Sequence, residues 1–212
     1  EAITLLQQFS AANPKDTEAS LILATWQVWF GQDADYEATR RQLVQQAEGT
    51  DQATTADRAA KVACLRPSTN SALLTQALDL AQRAVKLGQS NTNLPWFQLG
   101  LGLAEYRNGQ YEPAERALSV AEQTAGGDHN IEGTACLYRA MSLFRQNRTE
   151  EARKLFRLAE TQMPPLPKEE SKPLLDGKSA AQDALIRWLA YKEAKALIES
   201  PSVPATAPSA PK

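Results

Sequence analysis

Gly109-Gln110-Tyr111-Glu112-Pro113-Ala114, followed by Leu118 and Ala121, is the stretch that decides how this chain is built. The same skeleton returns as Asn147-Arg148-Thr149-Glu150-Glu151-Ala152, then Phe156 and Ala159. Ala114 and Ala152 lie 38 residues apart, and Ala77 lies 37 before Ala114. A fixed period of this length marks stacked helical hairpins, each burying its apolar face against its neighbours. Gly109 or Asn147 at the tight turn reverses the chain, because both residue types tolerate a left-handed backbone. Small residues then let paired helices approach: Gly102, Ala114 and Ala121 in one hairpin, Ala140, Ala152 and Ala159 in the other. Leu101, Leu118, Leu143 and Phe156, within about one helical turn, fill the space those residues leave. Stepping back a period reaches Ala77 with Ala81 and Ala84, then Thr39 with Leu43, so about four hairpins are expected.

Outward from that stretch every substantial segment has helical period and none alternates like a strand. A first helix is expected from Ala2 to Ala12, halted at Asn13-Pro14. A second is capped by Asp16 or Thr17 and runs to Phe30-Gly31. The next spans Asp35 to Glu48, with Tyr36, Leu43 and Ala47 facing inward. Further helices follow over Thr55 to Leu65, Ser71 to Leu87, Leu94 to Arg107, Glu112 to Thr124, Ile131 to Arg145 and Thr149 to Met163. Pro164-Pro165-Leu166-Pro167 stops the array. A last helix over 180–198, carrying Leu185, Ile186, Trp188, Leu189, Tyr191, Ala194 and Leu197, is expected to cap the final apolar face. One helical-repeat domain therefore covers 1–199, clearest over 94–125 and 131–164, and the Pro/Ala/Ser tail 200–212 is expected to be disordered.

The bulk numbers narrow the function. Hydrophobic residues make up 42% of 212 positions, enough for a packed core. The 23 basic and 25 acidic residues are mixed along the chain, which argues against nucleic acid, since phosphate binding needs a clustered basic face. No run of about 18 apolar residues could span a membrane. Glu1 to Pro14 holds an early acid and Gln7-Gln8 where a secretory leader has a basic start and an apolar centre. The chain opens directly inside an apolar helical pattern (Ile3, Leu5, Leu6, Phe9), so a piece of a longer protein is expected. Cys64 and Cys136 read as buried free thiols, which suits a reducing cytoplasm.

The motifs quoted above resemble the tetratricopeptide repeat over roughly Ser20 to Met163. Gly102, Tyr106, Gly109, Tyr111, Ala114, Leu118 and Ala121 stand at that family's small and aromatic positions, and Ala140, Phe144, Ala152, Phe156, Ala159 and Pro164 repeat them. Two departures stand out: Gln98 and Cys136 replace the usual tryptophan, and the repeat is a few residues longer. The resemblance implies an all-α, right-handed superhelical solenoid of about four hairpins with a C-terminal capping helix. The segments Trp26-Gln27-Val28-Trp29-Phe30-Gly31, Ala56-Asp57-Arg58-Ala59-Ala60-Lys61, Leu94-Pro95-Trp96-Phe97-Gln98-Leu99, Tyr138-Arg139-Ala140-Met141-Ser142 and Trp188-Leu189-Ala190-Tyr191-Lys192-Glu193-Ala194 are also similar to the C-terminal repeat region of large planctomycete-type bacterial serine/threonine kinases. That likeness implies a kinase domain before Glu1.

Catalytic chemistry is poorly represented. His129 sits in Gly126-Gly127-Asp128-His129-Asn130, an expected exposed loop, and no Cys/His cluster has metal spacing. No phosphate-binding glycine loop or kinase signature appears. Glu150-Glu151 and Glu169-Glu170 read as solvated helix starts, where the dipole favours acids. No enzyme, cofactor or metal is expected. In the tetratricopeptide family the first helix of each hairpin lines a groove, and the matching positions here are Trp96, Leu99, Leu103, Tyr106 and Arg107, then Thr134, Leu137, Met141, Phe144 and Arg145. Aromatic and arginine anchors usually carry interface energy, so a protein or peptide ligand is expected there. The alternative is that the C-terminal helix or a neighbouring hairpin covers this face, least so at Tyr106, Arg107 and Arg145. Leu99, Leu103, Leu137 and Met141 would leave a bound carboxylate poorly compensated, which argues against clamping a chaperone C-terminus. The expectation is a non-catalytic binding scaffold. The alternatives are a spacer or homo-oligomerisation module, contacting an upstream domain or a second copy, and a regulatory arm of an attached kinase.

Overall fold

The computed structural model describes residues 2–175, 178–179 and 181–199. Among them the chain forms α1 (Ala2–Ala12), α2 (Thr17–Trp29), α3 (Asp33–Gln46), α4 (Ala53–Cys64), α5 (Ser71–Leu87), α6 (Leu94–Arg107), α7 (Tyr111–Thr124), α8 (His129–Arg145), α9 (Thr149–Thr161) and α10 (Gln182–Ile198). Between α9 and α10 a two-residue antiparallel ladder pairs β1 (Leu174–Leu175) with β2 (Lys178–Ser179), Leu174 opposite Ser179. The fold is all-α. Ala180, expected to start the last helix, and the tail 200–212 lie outside the described residues.

The helices begin where side chains can satisfy their free amides. Asp16 caps α2, its Oδ1 accepting from the amides of Glu18 and Ala19 at 3.0 Å. Asp128 does the same for Asn130 and Ile131, which starts α8 two residues earlier than its apolar pattern suggests. His129 is consequently the first residue of that helix rather than part of a loop. It stays exposed, with Nδ1 3.2 Å from Glu132.

Three hairpins turn by one mechanism. Gly31, Gly109 and Asn147 have φ of 68°, 74° and 62°. In each case the next amide bonds back to the carbonyl five residues earlier: Gln32 to Gln27, Gln110 to Glu105 and Arg148 to Leu143, at 2.8, 2.9 and 3.0 Å. This left-handed helix ending satisfies carbonyls that would otherwise be orphaned. Aligning the hairpins on Gly31 and Gly109 sets Tyr36, not Thr39, opposite Ala114 and brings Leu43 opposite Ala121. Tyr36 and Leu43 are buried while Thr39 is only half-buried. A step of one period from Ala77 reaches Thr39 instead, because the α4–α5 connection is longer, running through Pro67 to Asn70, which caps α5.

Close approach within the hairpins follows the small residues. A Cβ on Gly102 would lie 2.4 Å from Leu118 Cγ, so only glycine lets α6 seat the α7 leucine. The first helices of the hairpins, α2, α4, α6 and α8, touch one another in chain order. Their partners are more separated: α3 approaches α5, but among the described residues no Cα atom of α7 comes within 8 Å of one in α5 or α9. An inner layer of first helices results, and α10 covers the last hairpin while reaching back to the first. It packs on α8, α2 and α9 together, across that inner layer. No helix among the described residues is long and apolar enough to cross a membrane.

Candidate functional site: the inner face and the helix that fills it

Of the ten groove residues anticipated from sequence, Leu99, Leu103, Tyr106, Thr134, Leu137 and Met141 are buried, Trp96 and Phe144 are half-buried, Arg107 has a buried side chain on a partly accessible backbone, and Arg145 is exposed. The structure brings them onto one face, but that face is not open. Ile186 and Asp183 of α10 close over Leu99, Leu103 and Thr134, leaving a void of about 10 Å³, no more than a single water needs. Tyr106 and Arg107, expected to be the freest of the set, are committed internally. The Tyr106 ring meets Tyr138 edge-on at 5.4 Å, and its hydroxyl points at Met141 Sδ, 3.7 Å away.

Arg107 is the centre of the arrangement. It ends α6, and only 3% of its side chain is exposed. Nε donates to the carbonyl of Cys64, the last residue of α4, at 2.9 Å, placing a cation at that helix's negative end. Nη2 donates to the Tyr138 hydroxyl at 3.0 Å. The remaining donors form a two-pronged pair with Glu193 of α10, at 2.5 and 2.7 Å. The guanidinium also lies beside the Tyr106 and Tyr138 rings, 5.4 and 5.5 Å from their centroids. Burial disfavours its charge, but Tyr138 and Glu193 outweigh that and hold its pKa above the usual arginine value. Burial also raises the Tyr138 hydroxyl and pushes the Cys64 thiol up to about 12, so both remain protonated at neutral pH.

The rest of α10 is held by contacts that sequence reading did not pair. Trp188 packs on Trp29 of α2 with centroids 5.7 Å apart, and Trp29 Nε1 donates to the Glu170 carbonyl at 2.8 Å. Lys192 Nζ sits 4.1 Å over the Trp29 ring. Tyr191 stacks on Phe156 of α9 at 5.8 Å, and its hydroxyl donates to Glu160 at 2.6 Å. Arg187 crosses Gly133 of α8 so closely that a Cβ there would lie 2.2 Å from its Nε. One helix thus ties the first hairpin to the last. The apolar face of α10 was legible from its spacing; its seat was not, since Glu193 is 86 residues from its partner.

A second buried charge cluster lies beside this face. Lys61 Nζ is 2.7 Å from Asp57 Oδ2 and 4.9 Å above the Trp96 ring. Asp57 Oδ1 has no hydrogen-bond partner among the described residues and packs toward Gly100. Burial raises the Asp57 pKa, and Lys61 opposes the rise. Among the described residues no group of three or more His, Cys, Asp or Glu could hold a metal ion.

No family model, curated protein or solved structure matches this chain.

Proposed function

We propose that this chain is a helical-repeat scaffold of the tetratricopeptide type that acts by protein–protein contact, with its inner face as a groove for a helix. The observation that carries the reading is the seat of α10: an amphipathic helix lies across the first helices of the hairpins, anchored by Glu193 on Arg107. Helix-in-groove recognition of this kind uses apolar anchors plus a charged contact that fixes register. The ordered contacts of α2, α4, α6 and α8 support a superhelical stack. The buried free thiols of Cys64 and Cys136 suit a cytoplasmic setting.

The closure of that same face favours a second reading, a structural module or homo-oligomerisation unit whose groove is permanently its own. A photoreactive residue at exposed Arg145 distinguishes the two. Adducts to a different polypeptide in cell extract support the scaffold, and adducts only to a second copy support the module. Adducts arising only from the outer helices, for example at exposed Val120 or Leu158, overturn the inner face as the contact surface. The proposed attachment to a serine/threonine kinase is tested by comparing kinase activity with and without this region.

A further inference from the structure

Two arginines in the α10 seat are treated differently. Arg107 belongs to the groove, and the carboxylate that matches it, Glu193, belongs to the occupant. The other ligands of Arg107, the Cys64 carbonyl and the Tyr138 hydroxyl, are neutral, so any helix that fills the groove must bring an acid to that point. Arg187 is the reverse case. It is the occupant's own cation, only 4% exposed, and among the described residues it forms no ion pair. Its Nη2 reaches the Gln162 carbonyl at 2.6 Å, but Nε has no hydrogen-bond partner among the described residues. A buried cation without a close carboxylate is unfavourable: burial lowers its pKa, and Cys136 and the more distant Glu132 only partly oppose that. The resident helix therefore fits its seat at position 193 and fits poorly at position 187.

We infer that α10 is a displaceable resident, and that the groove's better occupant is an amphipathic helix carrying a carboxylate at the place of Glu193 and an uncharged residue at the place of Arg187. The inference rests on the proposed reading of the inner face as a helix groove and adds the chemistry of its partner. Displacement releases Glu193 and Arg187 together, and the incoming helix restores only the favourable one.

The test uses the full chain and three fluorescent peptides spanning residues 181–199: native, Arg187→Met, and Arg187→Met with Glu193→Gln. Binding is read by anisotropy to the native chain and to a Glu193→Gln chain whose own helix is loosened, with hydrogen exchange of α10 and far-UV dichroism recording that the rest stays folded. The Arg187→Met peptide is expected to bind the loosened chain about tenfold tighter than the native peptide, and about tenfold tighter than the peptide also lacking the acid. An Arg187→Met substitution in the chain itself should weaken trans binding by tightening the resident. Equal affinities for the three peptides overturn the inference while leaving the groove reading intact. No binding of any peptide to the loosened chain overturns both.

Discussion

Replacing Arg107 with methionine keeps most of the side chain's volume and removes its charge and donors. The loss is large because little water can substitute: the side chain is 3% exposed and links α4, α8 and α10 through Cys64, Tyr138 and Glu193. Removing one partner of a buried pair costs about 3–5 kcal/mol. Glu193 is 25% exposed and recovers some hydration, which places the effect near the lower end, about 3 kcal/mol. For a chain of this size that corresponds to a melting shift of roughly 6–12 °C. Glu193→Leu should behave similarly, since it leaves the guanidinium without a carboxylate. The double substitution Arg107→Met with Glu193→Leu should lie within about 1 kcal/mol of the native protein, because an apolar pair removes both desolvation terms together. Urea unfolding followed by far-UV dichroism gives all four corners of this cycle. A loss under about 1 kcal/mol for Arg107→Met, or a double variant as unstable as the sum of the singles, would refute the assignment of Arg107 as the pin of the α10 seat.

Glu105 makes stability depend on pH. Burial, only partly opposed by Arg116, lifts its carboxyl to about 7, and its Oε2 has no hydrogen-bond partner among the described residues. The folded state holds this proton more tightly than the unfolded chain, so stability falls as pH rises from about 4.5 through 7. Glu105→Gln should remove that slope and add on the order of 2–3 kcal/mol at pH 8, with little change at pH 4, measured by unfolding across pH. Gly102→Ala should destabilise by about 1–3 kcal/mol, since the added methyl meets Leu118 Cγ at 2.4 Å, and Leu118→Ala in the same chain should relieve part of the strain on thermal melting.

The helices were legible because each carries its own instructions. Ser71–Leu87 and Leu94–Arg107 have the expected ends, set by Gly88, by Asn93-Leu94-Pro95 and by Gly109. Where ends shifted, as at Asp128, a side chain captured amides that hydrophobic spacing does not report. The register of the first hairpin was hidden because Tyr36 stands where the later hairpins have alanine, its hydroxyl bonded to the Val62 carbonyl at 2.8 Å. The inner face was identified residue by residue, yet its cover could not be read. Amphipathic spacing in α10 says that one side is buried and is silent on what buries it. Gly133 was an available signal: a glycine inside α8, away from any turn, marks a close approach by something large, here Arg187.

The seat of α10 across the inner layer, from the first hairpin to the last, holds the other contacts in place. Proton–proton Overhauser contacts in the folded chain read this directly, through ring pairs that only this seat brings together. Cross-peaks are expected between the indoles of Trp29 and Trp188, with centroids 5.7 Å apart, and between the rings of Phe156 and Tyr191, with centroids 5.8 Å apart. Cross-peaks for Phe156 and Tyr191 without any for Trp29 and Trp188 would place α10 at the end of the stack and contradict it.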